Sequence, residues 1–340
     1  MAGLAAAARA RELGAGVVVY EKGDRPGGSM YLSSGVVWRY RDWKRFREEC
    51  ASGDPKLQRV VWERLDEDLA WLEAMGSPVV ERDTGNQLTS GVRFDPRALT
   101  ETLARRVGEI RLLQPLTELP EEAPVILATG GFQGNPNLVR SHITPEASNL
   151  VLRANPWSAG DGLRLARGAG AELSAGLNEF YGRNLAAAPA ISSADFVPLG
   201  QVYARHATVE NLLGEAYQPR TWSEIDVVQW TALQPGARAR YIVPDTALDE
   251  PVRERTVRDA IDAARRAGAP VETRDGATTV EVVAGITTTL GGIRVDTHAR
   301  AAEGLFAAGA DVGGISTGGW SSALASALVF GKLAAESALS

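Results

Sequence analysis

Residues 1–22 read MAGLAAAARARELGAGVVVYEK and place an alanine-rich helix before a short strand rich in valine. Gly14 is expected to end the helix, and the strand is predicted at residues 17–20. The start of such a helix presents free N–H groups and a partial positive charge, which favour phosphate oxygens. A dinucleotide site also needs an acid about 20 residues beyond its glycine turn, to hold the ribose hydroxyls. Glu21 has that spacing from Gly3, so the stretch predicts a dinucleotide site.

Gly3 fits the third glycine of a G-x-G-x-x-G turn, the one that lets a helix pack closely on a strand. The first two glycines and their strand would then precede Met1. A start codon placed too late, or a trimmed sequence, would explain this, and so would a degenerate protein that binds its nucleotide poorly. The alternative for the whole stretch is an alanine-rich surface helix that precedes a strand.

The composition is that of an ordinary globular enzyme, with 340 residues, 44% of them hydrophobic and 23% charged. About two domains are expected at roughly 150 residues each. The net charge is −6 and the basic residues are not clustered, which argues against a nucleic-acid partner. Cys50 is the only cysteine and the three histidines are far apart, so neither a disulfide nor a metal site is expected. There is no basic leader and no run of ~18 apolar residues, so we expect a cytoplasmic protein without a membrane partner.

The order of the predicted elements indicates an α/β fold. Helices are expected at residues 55–75, 96–107, 161–171, 253–267 and 322–337, and strands at 125–128 and 304–308. Strands that alternate with helices favour a largely parallel sheet. The alternation weakens between residues 176 and 276, and scattered aromatic residues there indicate a second, inserted domain.

Four glycine-rich blocks follow one another along the chain. They are EKGDRPGGSMYLSSG at residues 21–35, ATGGF at 128–132, GDG at 160–162, and LGGIRVD at 290–296, which leads to LFAAG at 305–309. Glycines let the backbone approach a large flat ligand, and the exposed N–H groups can bind phosphate or ring oxygens. The blocks are therefore suited to the close approach of a large flat ligand.

With these blocks the chain resembles the FAD-dependent oxidoreductases of the fumarate reductase and succinate dehydrogenase flavoprotein superfamily, which also contains the 3-ketosteroid Δ1-dehydrogenases. The resemblance spans residues 1–337. It implies a Rossmann-like FAD-binding domain made of residues 1–175 and 277–340, with an α+β cap domain inserted at 176–276. It also implies hydride transfer between flavin N5 and a substrate carbon, for CH–CH dehydrogenation or C=C reduction of a small organic or steroid-like molecule. No second glycine fingerprint is seen for NAD(P)H, so the electron donor or acceptor is unknown.

The resemblance also implies which residues contact FAD, and they lie in the same blocks. They are Ala2, Gly3, Glu21, Lys22, Gly27, Gly28, Ser29, Ser33, Ser34, Gly35, Ala128, Thr129, Gly130, Asp161, Gly309, Ala310, Asp311, Ala323 and Leu324. The helix that starts after Ser322 would direct its positive end at the pyrimidine edge of the flavin.

Several positions depart from the pattern of the superfamily. Fumarate reductases clamp the substrate carboxylates with a His and an Arg, but the matching segments here read TTTL at residues 287–290 and GGWSS at 318–322. Steroid dehydrogenases use tyrosines, and the second segment has none. The superfamily's ribityl-binding Glu is replaced by Ala310, with Asp311 next to it. The connection from residue 111 to 125 is too short for the usual three-stranded meander. A dicarboxylate substrate is therefore not expected.

The substrate is expected between the flavin face and the cap, and the catalytic candidates are Tyr181, Arg183 and Arg220. The Tyr181 phenol could transfer a proton beside the fixed cation of Arg183. It could equally be a packing residue of the cap. The proton-donating Arg of fumarate reductases falls in residues 220–224, where Arg220 or Glu224 is nearest.

Other pocket candidates are Tyr203, Arg205, His206, Tyr217 and Trp320. A structural role is favoured for His206, and Trp320 could stack on the flavin or the substrate, or fill space. The competing function is a degenerate flavoprotein that serves as a non-catalytic FAD-binding or partner-binding module.

Overall fold

The computed structural model describes residues 1–220 and 224–340, and its contacts divide the chain into two units. The first unit contains residues 1–135, 154–179 and 288–340, and the second contains 136–153 and 180–287. The domain limits expected from the sequence stay a prediction. Within the described residues, no helix is long and apolar enough to cross a membrane.

The helices described for the first unit include the predicted ones. They are α1 (Ala2–Glu12), α2 (Trp43–Glu49), α3 (Pro55–Ala74), α4 (Pro96–Val107), α6 (Asp161–Gly168) and α9 (Ala323–Ala338). Helix α2 was not predicted, and α6 ends three residues earlier than expected. The start of α3 is set by Asp54, whose side chain accepts a hydrogen bond from the Lys56 N–H, and by Pro55 in the first turn. Alanines make α1 narrow, so it packs closely against α9.

Short sheets support the first unit. The strands are β1 (Val18–Tyr20), β2 (Val36–Tyr40), β3 (Val79–Glu81), β4 (Thr89–Phe94), β5 (Glu109–Arg111), β6 (Val125–Leu127), β15 (Arg300–Ala302) and β16 (Leu305–Ala307). Parallel pairs join β1 to β5 and β6 to β16, whereas β2, β4 and β3 pair antiparallel. The α/β fold prediction is confirmed, but the expectation of a largely parallel sheet needs correction, since alternation of elements does not fix strand direction.

The second unit is built on one mixed sheet. Its strands are β7 (Val151–Leu152), β8 (Phe180–Ala186), β9 (Thr208–Asn211), β10 (Arg238–Pro244), β13 (Val271–Arg274) and β14 (Ala277–Thr289), with a separate hairpin of β11 (Pro251–Val252) and β12 (Arg255–Thr256). Its helices are α5 (Pro136–His142), α7 (Ile225–Ala232) and α8 (Val257–Arg266). The long strand β14 pairs with β13, β10, β7 and β8, so it organises the sheet.

The predicted helix at residues 253–267 begins later than expected, at Val257. Thr256 and Asp259 form a capping box, in which each side chain accepts the other's backbone N–H. Thr256 therefore fixes the start of α8, and the residues just before it belong to the β11–β12 hairpin.

Candidate functional site

The turn after β6 is held by hydrogen bonds to a buried carboxylate. Asp311 is completely buried, and its oxygens accept hydrogen bonds from the Thr129 N–H, from the Thr129 hydroxyl at 3.0 Å and from the Gly131 N–H at 2.9 Å. The Thr129 hydroxyl also accepts the N–H of Gly162, at the start of α6, at 3.0 Å. We call these four residues the Asp311 hub. The hub ties three of the predicted cofactor blocks together.

Burial raises the pKa of the Asp311 carboxyl, although the bonds from Gly131 and Thr129 act in the opposite direction. Asp311 was predicted to contact the cofactor, but the structure places both its oxygens on the turn. It therefore fixes the backbone of the turn at Thr129 and Gly131. Ala310, its neighbour, lines the cavity described below.

The first turn of α1 lies against the same region. A Cβ atom on Gly3 would lie 3.3 Å from the Cβ of Ala128, and one on Gly309 would lie 2.9 Å from the Cβ of Ala2. Small residues on both sides thus bring the helix start and two predicted cofactor segments within van der Waals distance.

The charged residues predicted to contact the cofactor bond to other groups of the protein. Lys22 Nζ lies 2.7 Å from Asp161 Oδ2 at the start of α6, while the Glu21 carboxylate accepts the Gly23 N–H at 2.7 Å. Both side chains of the ion pair are partly exposed. They remain accessible for a ligand.

The predicted block at residues 27–35 forms a turn that its own serines stabilise. The Ser29 hydroxyl accepts from the Asn155 side chain at 2.8 Å, and the Ser33 hydroxyl accepts the Gly35 N–H at 3.1 Å. Gly27, Gly28 and Gly35 have positive φ, as such turns require, and Ser34 is exposed. The block is thus ordered as a loop with one serine facing outward.

A small cavity of about 30 Å³ lies beside the hub in the first unit. Its lining comes from the end of β14, the loop after β16 and the start of α9, including Thr289, Gly309, Ala310, Trp320 and Ala323. The predicted Leu324 follows Ala323 on α9 and is partly buried. The cavity therefore gathers predicted cofactor residues that are far apart in the sequence.

Two buried polar atoms near this cavity have no hydrogen-bond partner among the described residues. They are the Thr289 hydroxyl and Oε1 of Gln133. A Cβ atom on Gly131 would lie 2.5 Å from the first and 2.9 Å from the second, so both face the bare glycine backbone. Buried polar atoms normally have partners, and polar groups of a cofactor that enters the cavity would supply them. The residues therefore fit FAD.

The catalytic candidates of the second unit form a charged group. The Arg183 guanidinium lies 5.3 Å from the Tyr181 ring centre and hydrogen-bonds the phenol. Burial alone would raise the pKa of Tyr181, but Arg183, Arg153 and Arg253 together lower this pKa to about 8. A phenol with this pKa can give or take a proton near neutral pH. We call Arg153, Arg183 and Arg253 the arginine cluster.

The third candidate, Arg220, is placed elsewhere. Its Nε lies 3.9 Å from Oδ2 of the buried Asp226, which also accepts its backbone N–H at 2.6 Å and the hydroxyl of Tyr217. Residues 221–223, in the segment predicted to hold a proton donor, lie outside the described residues. Glu224, at the end of that segment, is bonded to Arg205.

The remaining pocket candidates make contacts with neighbouring parts of the protein. Tyr203 is completely buried and donates to Gln201 at 2.7 Å, and His206 lies in the short turn that follows it. Trp320 lines the cavity of the first unit, and its carbonyl accepts the Tyr40 hydroxyl at 2.6 Å.

Sequence reasoning missed four residues of these two regions: Gln133, Thr289, Arg153 and Arg253. Gln133 follows the ATGGF block directly, so its position was a usable signal. Arg153 and Arg253 gave none, because an isolated arginine in a sequence is usually a surface charge.

Three comparisons bear on this geometry. The profile of a family described as FAD binding domain matches residues 1–120 and 116–322. A vinyl phenol reductase of Lactiplantibacillus plantarum is 28% identical over 217 residues, which covers 50% of this chain and 44% of that protein. The chain thus spans less than half the length of that curated relative.

Two solved structures share the fold. An open flavocytochrome c3 fumarate reductase has a TM-score of 0.73 at 20% identity, covering 99% of this chain and 76% of that one. The 3-ketosteroid-Δ4-(5α)-dehydrogenase of Rhodococcus jostii RHA1, in complex with 4-androstene-3,17-dione, has a TM-score of 0.72 at 16% identity, with coverages of 100% and 95%. At these identities the likeness establishes the fold alone.

Proposed function

This chain belongs to the FAD binding domain family, and from that premise we propose that it catalyses hydride transfer between flavin N5 and a carbon of a small organic substrate. The bond acted on is a C=C bond that is reduced, or a CH–CH bond in the reverse direction. FAD supplies or accepts the hydride when bound, and the protein binds, orients and excludes water.

The observation that carries the proposal is the cavity beside the Asp311 hub. The backbone of Gly130 and Gly131, the loop at Gly309 and Ala310, and the start of α9 at Ala323 would hold the flavin. The Thr289 hydroxyl and the Gln133 side chain would bond polar atoms of the ring, because nothing else in the described residues satisfies them. The positive end of α9 favours negative charge there.

The proton that accompanies hydride transfer is assigned to Tyr181. Below a pH of about 8 the phenol keeps its proton and can donate it to a substrate carbon during reduction. Above that pH the phenolate can accept a proton during dehydrogenation. Arg183 holds the phenol oxygen through a hydrogen bond, so the group is oriented as well as tuned.

The choice of bond is supported by the relatives. The curated relative is a vinyl phenol reductase, and one structural neighbour is a ketosteroid dehydrogenase in complex with 4-androstene-3,17-dione. Both names refer to chemistry at carbon–carbon bonds, and we extend that chemistry to this chain.

The test begins with the full chain purified and reconstituted with FAD. A yellow protein whose flavin is bleached by dithionite, and then reoxidised without oxygen by a vinyl phenol or by an α,β-unsaturated ketone, supports the proposal. Saturated analogues of the same compounds serve as controls and should not reoxidise the flavin. Protein that stays colourless after reconstitution would instead support a non-catalytic partner-binding module.

A further inference from the structure

The loop of residues 312–320, which we call the tryptophan loop, is anchored to other elements of the first unit. Gln58 on α3 is completely buried, and its Nε2 donates a hydrogen bond to the Ile315 carbonyl at 2.8 Å. The carbonyl of Trp320 accepts the hydroxyl of Tyr40, a completely buried residue of β2, at 2.6 Å. A helix and a strand therefore hold the backbone of the loop near its middle and at its end.

The two glycines that precede the tryptophan pack directly against neighbouring backbone. A Cβ atom on Gly319 would lie 1.6 Å from the carbonyl oxygen of Glu49, and one on Gly318 would lie 2.8 Å from the hydroxyl oxygen of Ser52. Gly318 also donates its N–H to Oε2 of Glu179 at 2.6 Å. Its φ of 82° is one that glycine adopts without strain. The backbone before the tryptophan is thus fixed by contacts that only glycines allow.

The two serines that follow the tryptophan are also held. The hydroxyl of Ser321 lies 2.6 Å from that of Ser316, and both residues are buried. The hydroxyl of Ser322 caps α9 by accepting the Ala325 N–H at 3.2 Å, and it accepts the Trp38 N–H at 3.3 Å. A shift of the loop would break these hydrogen bonds, so the indole is attached to a fixed backbone on both sides.

The cavity beside the Asp311 hub has an uncharged lining, to which Trp320 belongs. Among the described residues that form this lining there is no Asp, Glu, Lys, Arg or His, and Trp320 is the one residue with an aromatic ring. Hydroxyl groups come from Thr288, Thr289, Ser316 and Ser326. A charged ligand would lose its hydration here without gaining an opposite charge. The lining therefore suits an uncharged molecule with few polar atoms, and its bulkiest side chain is an indole.

We propose that Trp320 determines the substrate specificity of the chain, because its indole admits an uncharged substrate with a single flat ring and excludes substrates with fused rings. Hydride transfer requires the substrate to touch the flavin, and Trp320 lines the same cavity as the residues proposed to hold the flavin. A single ring gains stacking energy against an indole. A larger ring system would collide with an indole whose backbone is fixed. This inference rests on the proposed function, whose substrate it narrows to an uncharged molecule with one ring and a reducible C=C bond.

The test measures binding and needs no turnover. The full chain reconstituted with FAD is titrated in a calorimeter with 4-methylphenol, which has one ring, and with 2-naphthol, which has two fused rings. Neither probe carries the kind of bond that the proposed reaction changes. We expect the parent protein to bind 4-methylphenol more tightly than 2-naphthol by about tenfold or more. The charged probe 4-methylbenzoate should bind more weakly than 4-methylphenol, since the cavity lining offers no positive side chain.

Three variants show whether Trp320 is the cause of this preference. Trp320→Ala should bind 2-naphthol about tenfold more tightly than the parent does, and 4-methylphenol about two- to tenfold less tightly, because stacking is lost. Trp320→Leu keeps an apolar side chain, so it should fold and show an intermediate preference. Trp43→Ala removes another partly buried tryptophan of the first unit, outside the cavity lining, and should keep the preference of the parent.

A second measurement needs no FAD. Indole should bind to the FAD-free Trp320→Ala variant and not to the FAD-free parent, because an anchored loop leaves the vacated space open. If Trp320→Ala and Trp320→Leu prefer 4-methylphenol as strongly as Trp43→Ala does, Trp320 does not select the substrate. If indole fails to bind the alanine variant, the loop is not a fixed wall and the inference is wrong. Either result leaves the proposed redox function intact, since that function depends on reoxidation of the flavin by an alkene.

Discussion

The Asp311 hub in the first unit and the arginine cluster in the second differ in how their charges are balanced. In the hub, one carboxylate is matched by three donors from a single turn, and Thr129 both gives and accepts a hydrogen bond. In the cluster, three cations act on one phenol, and Glu224, the carboxylate that acts on Arg183 and Arg253, is bonded to Arg205. A satisfied network holds a shape, whereas an excess of positive charge lowers the pKa of the phenol that it acts on.

The largest expected effect comes from the reactive phenol. Tyr181→Phe should slow flavin reoxidation by substrate by about 10²–10⁴-fold, the usual contribution of a positioned acid or base. Bound FAD should not change, because Tyr181 belongs to the second unit and the residues proposed to bind FAD belong to the first. Stopped-flow absorbance measures the first quantity and flavin content per chain the second. Tyr203→Phe alters a buried tyrosine outside the cluster and is the matched control. Equal rates in the two variants would remove Tyr181 from the mechanism.

A variant of the hub should lose stability and bound FAD, whereas the Tyr181 variant loses rate. Asp311→Ala leaves the N–H groups of Thr129 and Gly131 buried without an acceptor, which should cost roughly 2–5 kcal/mol of unfolding free energy. FAD binding should be lost with it. Denaturant unfolding and flavin content are the measurements. Asp161→Ala removes an acid from a partly exposed ion pair and should cost at most about 1 kcal/mol. Similar losses of unfolding free energy in both variants would contradict the hub.

The dependence of kcat/KM on pH should follow the ionisation of Tyr181, which the arginine cluster controls, and should not depend on Asp311. For C=C reduction Tyr181 must carry its proton, so kcat/KM should fall by up to about tenfold per pH unit as the pH rises through about 8. The rate falls rather than rises with pH because the phenolate, which cannot donate a proton, prevails above the lowered pKa of Tyr181. In Tyr181→Phe this fall should disappear. A profile that is flat across this range in the parent protein would show that the proton has another source.

The smallest expected effect concerns the unpartnered hydroxyl in the cavity. Thr289→Val keeps the side-chain shape and removes one hydrogen bond to the flavin, so FAD affinity should fall about three- to tenfold, or about 1 kcal/mol. The stability of the FAD-free protein should change little, because that hydroxyl has no partner there. Thr317→Val removes another buried unpartnered hydroxyl, outside the cavity lining, and should not alter FAD affinity. Isothermal titration calorimetry with FAD measures the affinity of both variants.

Local sequence patterns predicted much of the first unit. The resemblance to FAD-dependent oxidoreductases and the FAD cofactor are confirmed, as are helices α1, α3 and α4, because caps and apolar spacing are local properties. The role of Asp311 could not be found in this way. Its partners lie 182 and 180 residues away, and only folding brings them to the carboxylate.

The second unit was less predictable for physical reasons. One usable signal was overlooked, since Asp275 and Gly276 form a turn with φ values of 50° and 80° that joins β13 to β14 as an antiparallel hairpin. The arginine cluster had no such signal, because its members occupy three segments that are far apart in the sequence. Whether Tyr181 acts in catalysis or only in packing was open in the sequence, and it stays a prediction that Tyr181→Phe can decide.

The single hydroxyl of Thr129 has a consequence for how the first unit opens. It joins the turn after β6, the start of α6 and the loop after β16 through one oxygen and its neighbouring amide. Opening one of these segments therefore removes hydrogen-bond partners from the others. The N–H groups of Thr129, Gly131 and Gly162 should therefore exchange with deuterium at one common opening free energy, as a single cooperative unit drawn from three distant parts of the chain.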